Sequence, residues 1–488
     1  MQSIKKNFVY NVIYQVLLVI LPLITAPYIA RTLGANAVGI YSYTNSIAYY
    51  FILVAMLGIS NYGNISIAAV RDNKDKLNKT FSSIYLLQFS LFVIAILCYA
   101  IYSLFIASDN RIIFLLQIIY VASGILDISW LFFGLEQFKL TVFRNVAIKL
   151  LTLIFMFIFV KKPGDLWIYT LIMSLGTFIS QAYLWLYVKK FVKFTKVSYH
   201  DILKIIKPVL ILFIPVIAYS IYKVMSKIML GNMSNYSEVG YYNNAEKIIN
   251  IPMGIITALG TVMLPRMSNI VANKDKDKGK KYISLSFKMV TIIACGIAFG
   301  LMGISKVFTP VFFGDGYEAC INIIILLSLT VFFVSWANII RTQYLMPNRY
   351  DNIYVISTIA GAVVNLILNL ILIPKYKAMG AAIGTVFAEL SVMLIQSIAV
   401  RKKIPVFKYI LEYTPVILIG ILMMLLVNEI GIYMGEKIIT IVVQVLAGGI
   451  FFTIFTGIYI LIKKDDVFEM LKNSLPKKKL KGWYRVKT

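Results

Sequence analysis

Apolar residues run along this chain in blocks of close to twenty, each set off by a short polar or charged stretch, and the pattern continues almost from end to end. A helix needs about 20 apolar residues to cross the hydrocarbon core of a bilayer. On that measure the sequence predicts about fourteen spans, at 8–31, 37–61, 82–106, 111–135, 139–160, 165–189, 204–230, 237–262, 283–307, 317–343, 351–373, 379–401, 410–428 and 437–462. Almost nothing is left over for a water-soluble domain. The expected fold is an all-α polytopic membrane protein. The first block, Phe8 to Ala30, is longer than a signal-peptide core and carries Asn11, Gln15, Pro22 and Pro27, so it reads as an uncleaved first span.

Composition agrees with the pattern: 60% of residues are hydrophobic, 14% are charged and mean hydropathy is +0.83. The formal charge of +27 would fit a nucleic-acid binder if it were clustered on one soluble face, but its placement follows the spans. Alternate connections and the two ends carry 34 Lys and Arg, whereas the other connections carry 8. By the positive-inside rule both termini are cytoplasmic, and an even number of spans is required. No nucleic-acid partner is expected. Cys98, Cys295 and Cys320 sit in or beside separate apolar blocks without metal-ligand spacing, so neither a disulfide framework nor a metal site is expected.

The chain also repeats itself weakly. Leu33-Gly34 followed by Val38-Gly39-Ile40-Tyr41 is matched by Leu230-Gly231 followed by Val239-Gly240-Tyr241-Tyr242. Lys74-Asp75-Lys76 is matched by Lys276-Asp277-Lys278, and prolines interrupt both leading spans, at Pro22 and Pro27 and at Pro208 and Pro215. Six spans per repeat preserve orientation, so two parallel six-helix lobes are expected, as in transporters. The organisation is then residues 1–200 as a first lobe, 201–403 as a second, 404–465 as two additional spans and 466–488 as a basic tail. The tail segment Lys477-Lys478-Lys479 with Lys481 and Trp483 reads as an anchor on anionic lipid.

Six basic residues remain outside that count of connections and ends: Arg144, Lys149, Lys223, Lys227, Lys247 and Lys288. Intramembrane charge is costly and normally faces a bundle interior or water, which makes such residues site candidates. Lys223 and Lys227 lie four apart on one helix face. Two cations placed together suit a bound anion such as a diphosphate. Lys149 lies near the midplane, favouring a cavity role, whereas Arg144 and Lys288 are close enough to the edge to snorkel. Lys227 also has a snorkelling reading, and Arg31 mirrors its region in the repeat. The intramembrane acids are Asp127, Glu246 and Glu389, each a counter-charge to a buried lysine or a coupling carboxylate; Glu246 and Lys247 could instead form a packing ion pair. Asn11, Gln15, Asn45, Asn243 and Asn244 read as helix–helix hydrogen-bonding groups or as contacts to sugar hydroxyls. No phosphate-binding glycine loop is present, and the outer connections are too short to carry a catalytic domain. An enzyme is not expected.

At the level of motifs the chain resembles the Wzx-type polysaccharide-unit flippases of the MOP superfamily. The resemblance is carried by Pro27-Tyr-Ile-Ala-Arg31-Thr-Leu-Gly34, Ile125-Leu-Asp127-Ile-Ser-Trp130, Lys227-Ile-Met-Leu-Gly231, Ala245-Glu246-Lys247-Ile248, Phe313-Gly314-Asp-Gly316-Tyr317 and Asn365-Leu-Ile-Leu-Asn369. It implies a MATE-like fold and translocation of undecaprenyl-diphosphate-linked oligosaccharide from the inner to the outer leaflet of a bacterial plasma membrane, by alternating access. The diphosphate would be held by Lys149, Lys223, Lys227 and Arg31, with Asp127, Glu246, Lys247 and Glu389 as counter-charges or ion-coupling groups. No cofactor is implied beyond H+ or Na+ coupling, and the implied partners are membrane lipids, a glycan polymerase and a chain-length regulator. A lipid II flippase, a MATE-like exporter and, more remotely, a membrane glycan polymerase are the alternatives. Two departures from the family pattern stand out: Ser226 stands where relatives often have an acid, and Asn64-Ile65 stands where they often have Arg-Glu.

Overall fold

The computed structural model describes residues 4–107 and 109–474, apart from the side chains of residues 4–20, 222, 255 and 471–474. The helices are α1 (Ile4–Met56), α2 (Ile59–Val70), α3 (Lys74–Ile101), α4 (Arg111–Ser123), α5 (Ser129–Gly134) and α6 (Phe138–Phe159). They continue as α7 (Leu166–Phe191), α8 (Tyr199–Met233), α9 (Tyr236–Ala272), α10 (Lys276–Phe313), α11 (Ala319–Ser328) and α12 (Thr330–Ile340). The last five are α13 (Asp351–Val400), α14 (Val406–Glu412), α15 (Thr414–Met434), α16 (Ile438–Lys463) and α17 (Asp466–Ser474). No strand occurs among the described residues. The protein is a multi-pass, all-helical membrane protein.

Among the described residues, twelve helical segments are long and apolar enough to cross a membrane, and two of these, Leu21–Val70 and Asp351–Val400, are 50 residues long. A straight helix of that length would measure about 75 Å, more than twice a hydrocarbon core. Each is interrupted. α1 leaves helical geometry at Gly34 (φ 79°, ψ 166°) and α13 at Lys377 (φ 49°, ψ −127°). The connections expected at 31–37 and 373–379 are therefore tighter than the sequence suggested. Beyond the second turn the chain folds back closely, since a Cβ on Gly380 would lie 2.5 Å from the Leu372 carbonyl. The Glu238 carboxylate accepts the Ala378 N–H at 3.2 Å and lies 4.0 Å from the Lys377 ammonium.

The expected span 111–135 is broken. α4 ends in a 3₁₀ turn at Gly124–Leu126, Asp127 is extended (φ −75°, ψ 90°), and α5 follows. Breaking a helix at membrane depth frees carbonyls that must find donors within the protein. Gln88 of α3 supplies two, its Nε2 donating to Gly124 O (2.7 Å) and Asp127 O (3.0 Å). Trp185 of α7 donates to Leu126 O at 3.0 Å. Trp130 Nε1 donates in turn to Gln88 Oε1 at 3.0 Å, and its ring lies so close to Gly63 that a Cβ there would sit 2.7 Å away.

The chain forms two compact units. The first is Met1–Lys247 with Phe313–Gly316 and Asn365–Gly384; the second is Ile248–Phe312, Tyr317–Val364 and Thr385–Thr488. α8 and the start of α9 thus pack with the N-terminal helices, and small residues make this contact close. A Cβ on Gly58 would lie 2.2 Å from Val209 O, and one on Gly231 would lie 2.2 Å from the Tyr43 ring. Tyr50 donates to Ser220 O at 3.2 Å. In the second unit, buried Lys288 of α10 lies 3.3 Å from Asp465 and 3.6 Å from Asp466, which tethers the start of α17. Lys288 was expected to snorkel; it ends on carboxylates instead.

Candidate functional site

The intramembrane charges of the first unit concentrate where α8 meets α9. Lys227 sits about 9 Å before the end of α8 and Glu246 about 15 Å into α9, at 1.5 Å per residue. The turn between these helices brings the two side chains together: Lys227 Nζ is 2.8 Å from Glu246 Oε2, with the side chains only 17% and 16% exposed. Lys227 therefore ends on a carboxylate within the protein, and the snorkelling reading fails. Lys247 follows Glu246 in sequence and lies in the field of both Lys227 and Glu246. Lys227 and Glu246 thus form an ion pair, and Lys247 stands beside Glu246 in the chain, so this stretch carries two lysines for one carboxylate.

An ion pair removed from water is held by its Coulomb attraction against a desolvation cost of several kcal/mol per ion. A group with two ammoniums for one carboxylate is better matched once an anion joins it. Nearby on α9, Asn243 and Asn244 are buried, and Asn244 Nδ2 has no hydrogen-bond partner among the described residues. A buried orphan donor beside a net-positive group adds a further point for an oxygen-rich ligand to engage.

The remaining expected site residues are distributed. Lys223 is half-buried one turn before Lys227 on α8, and Lys149 is half-buried on α6. Arg31 is exposed, its side chain close to Gly314, where a Cβ would lie 3.1 Å from Arg31 Cγ. Asp127 marks the α4–α5 break, and its Oδ1 accepts the N–H of Ser129, the first residue of α5, at 3.1 Å. Glu389 is buried on α13 in the second unit. Asn45 Nδ2 lies 3.5 Å from Gln117 Oε1. Asn11 and Gln15 lie outside the residues whose side chains are described.

Arg144 departs from expectation. It is 5% exposed rather than snorkelling. Its Nη1 donates to Gln181 Oε1 at 2.8 Å and lies 3.4 Å from Ser129 Oγ, while Nε and Nη2 donate to Asn145 Oδ1 at 3.1 and 2.9 Å. Sequence depth alone could not reveal this, because Gln181 comes from another helix. A neutral polar knot was also legible only in part. Asn369 Nδ2 donates to Ser226 Oγ (2.9 Å) and Asn365 Oδ1 (3.0 Å), and all three residues are fully buried. Among the described residues, no group of three or more His, Cys, Asp or Glu side chains is placed to hold a metal ion.

A multi-pass chain, helical across its described residues, with interrupted spans and a half-buried Lys–Glu–Lys stretch, belongs by its architecture with membrane transporters. Solved structures agree on the fold. The chain is similar to the lipid II flippase MurJ in an inward closed conformation, with a TM-score of 0.75, 17% identity, and coverage of 94% of this chain and 99% of that one. It is also similar to an inward-facing multidrug resistance MATE transporter of the MOP superfamily, with a TM-score of 0.58, 14% identity, and coverage of 80% and 95%. Residues 4–271 match the family model described as "Polysaccharide biosynthesis protein", and the chain belongs to that family. Among relatives, it is 25% identical over 403 residues to a putative O-antigen transporter of Escherichia coli strain K12, covering 82% of this chain and 97% of the relative. A probable low-salt glycan biosynthesis flippase of Haloferax volcanii is 24% identical over 164 residues, 34% of each chain.

Proposed function

We infer that this protein is a flippase that carries a polyprenyl-diphosphate-linked oligosaccharide unit from the inner to the outer leaflet. The observation that carries this reading is the half-buried Lys227–Glu246 pair with Lys247 beside it, two lysines for one carboxylate within the spans of a chain from a polysaccharide biosynthesis family. In this account the diphosphate displaces the Glu246 carboxylate from Lys227 and is held by Lys227 and Lys247, with Lys223, Lys149 and Arg31 contributing at other stages of transfer. Release in the outer leaflet follows when Glu246 closes again on Lys227. The oligosaccharide is met by buried and half-buried Asn side chains such as Asn243, Asn244 and Asn45. The polyprenyl chain stays in the lipid.

Fourteen crossings follow if the two 50-residue segments each cross twice, at Gly34 and Lys377. Both termini then face the cytoplasm by the positive-inside rule, in a bacterial plasma membrane. Transport proceeds by alternating access, without catalysis, and H+ or Na+ exchange at Glu246 or Glu389 is the proposed coupling. A polymerase and a chain-length regulator would use the exported unit. The test is leaflet-resolved extraction of lipid-linked sugars from depleted cells. Accumulation of a diphosphate-linked oligosaccharide out of reach of externally added periodate, reversed by re-expression, supports the reading. Accumulation of the peptidoglycan precursor would assign the lipid II alternative, and unchanged lipid-linked sugars would refute flipping.

A further inference from the structure

The connection from α7 to α8 runs without regular secondary structure from Val192 to Ser198. Its backbone is tied to α3. Lys193 N–H donates to Asn78 Oδ1 at 2.8 Å, and Thr195 N–H donates to Ser82 Oγ at 3.0 Å. Asn78 and Ser82 are four apart and share one face of α3. An irregular backbone exposed to lipid cannot lie in the hydrocarbon, so this segment fixes the level of the headgroups along α3.

From that level an open cleft of about 430 Å³ descends between the connection and α3, lined by Ser82, Tyr85, Leu86, Phe89, Phe194 and Lys196, among others. Leu86 and Phe89 lie about 6 and 10 Å beyond Ser82 along the helix axis, at 1.5 Å per residue. Both are exposed, as is Phe194. Phe194 packs against Tyr85 and Trp185, with ring centroids 5.7 and 6.3 Å away. The polar end of the cleft carries the exposed Lys196 and Thr195, whose hydroxyl lies 3.5 Å from Ser82 Oγ, and the exposed Lys193 adjoins the lining residue Phe194 in the chain. Cations and a hydroxyl at headgroup depth, above an apolar floor of one to two helical turns, match the shape and charge order of a phospholipid.

We propose that this cleft binds an anionic glycerophospholipid of the inner leaflet, its phosphate at Lys193, Lys196 and Thr195 and its acyl chain along Leu86 and Phe89. The site is separate from the Lys227–Glu246–Lys247 group and would hold in place the one connection between α7 and α8. The proposal rests on the inferred orientation but not on the transport reading, because its test involves no transport.

The test places the full chain in nanodiscs of phosphatidylcholine containing a minor fraction of brominated lipid and reads tryptophan quenching. Subtracting the signal of the Trp185→Phe variant isolates Trp185, beside the cleft. Brominated phosphatidylglycerol should quench Trp185 more than brominated phosphatidylcholine at equal mole fraction, with local enrichment of about fivefold for each lysine near the surface. The excess should fall to the phosphatidylcholine level in a Lys193→Gln/Lys196→Gln double variant. Photo-crosslinkable phosphatidylglycerol should label 78–89 and 193–197 and lose that label in the double variant, a readout independent of the Trp185 substitution. Equal quenching by the two lipids, an excess that survives the double variant, or an excess seen only with polyprenyl phosphate would overturn the proposal.

Discussion

Gly39 and Gly240, corresponding positions of the two sequence repeats, meet backbone to backbone. A Cβ on Gly39 would lie 1.6 Å from Tyr236 O and 3.0 Å from the Gly240 nitrogen, and one on Gly240 would lie 2.1 Å from Ala35 O. Small residues let transmembrane helix backbones approach closely, and here the approach joins α1 to the start of α9 within one compact unit. The matching Leu-Gly pair behaves otherwise. Gly34 turns the chain with a positive φ, whereas Gly231 is helical and makes room for the Tyr43 ring. Equivalence in sequence has not preserved equivalence in role.

Gly39→Ala and Gly240→Ala should therefore each destabilise the protein. The obstacle is a carbonyl oxygen and cannot rotate away, so a backbone shift is required; overpacking of this kind costs about 1–3 kcal/mol. Gly449→Ala and Gly457→Ala, where a Cβ meets nothing within 4 Å, are the controls. Thermal stability read by fluorescence-detected size-exclusion chromatography should fall by several degrees for the first pair and hardly move for the second. Equal shifts in both pairs would contradict the packing.

Gly34→Ala isolates backbone strain from crowding. No atom lies within 4 Å of a Cβ there, yet its φ and ψ fall where almost only glycine is found. The expected cost is about 1–3 kcal/mol. Gly164→Ala, also in open space but without a positive φ, should cost little in the same assay.

Gln88→Leu removes the side chain that serves both sides of the α4–α5 break. Asp127 O loses its side-chain donor and Trp130 Nε1 its acceptor, while Gly124 O keeps only the longer bond from the Asp127 N–H at 3.3 Å. Each buried polar group left unpaired costs about 1–3 kcal/mol, so this variant should be among the most damaging single changes in the first unit. Gln88→Glu, which keeps an acceptor for Trp130 but no donor for the carbonyls, should not rescue it. Folded yield in membranes checks both.

The Asp465 network gives a pH signature. Burial opposes ionisation of Asp465, but a hydrogen bond from Tyr413 (2.8 Å), the Lys288 ammonium and the Val467 N–H outweigh it and hold the carboxyl below its usual range. A depressed folded-state pKa stabilises the fold above the unfolded value of about 3.9, and the contribution is lost as pH falls through the folded value. Asp465→Asn should thus lower the melting temperature at neutral pH. The gap to the unaltered protein should close only in strong acid. A gap that is constant across that range would show that ionisation of Asp465 contributes nothing.

The apolar helices were legible because bilayer thickness imposes a length that twenty-residue apolar blocks record, although two pairs of expected spans run together as Leu21–Val70 and Asp351–Val400. The pairing of Lys227 with Glu246 was within reach too, since opposite charges stood on consecutive spans. Partners from non-adjacent helices were not. Nothing local to Arg144 announces Gln181, and nothing local to Asp127 announces Gln88 and Trp185, which make its helix break tolerable. Depth gives the cost of burying a group, but only tertiary packing says what meets that cost.

The role of the Lys227–Glu246 pair is read from the outer-leaflet appearance of the lipid-linked oligosaccharide in depleted cells expressing Lys227→Met, Glu246→Met or the Lys227→Met/Glu246→Met double variant at matched levels. Breaking one side of a buried ion pair costs about 3–5 kcal/mol, whereas replacing both partners is often neutral. The double variant should therefore regain the stability lost by the singles. If Lys227 receives the diphosphate, it should still leave the oligosaccharide in the inner leaflet. A stable double variant that exposes the oligosaccharide as fast as the unaltered protein would show that the Lys227–Glu246 pair serves packing alone.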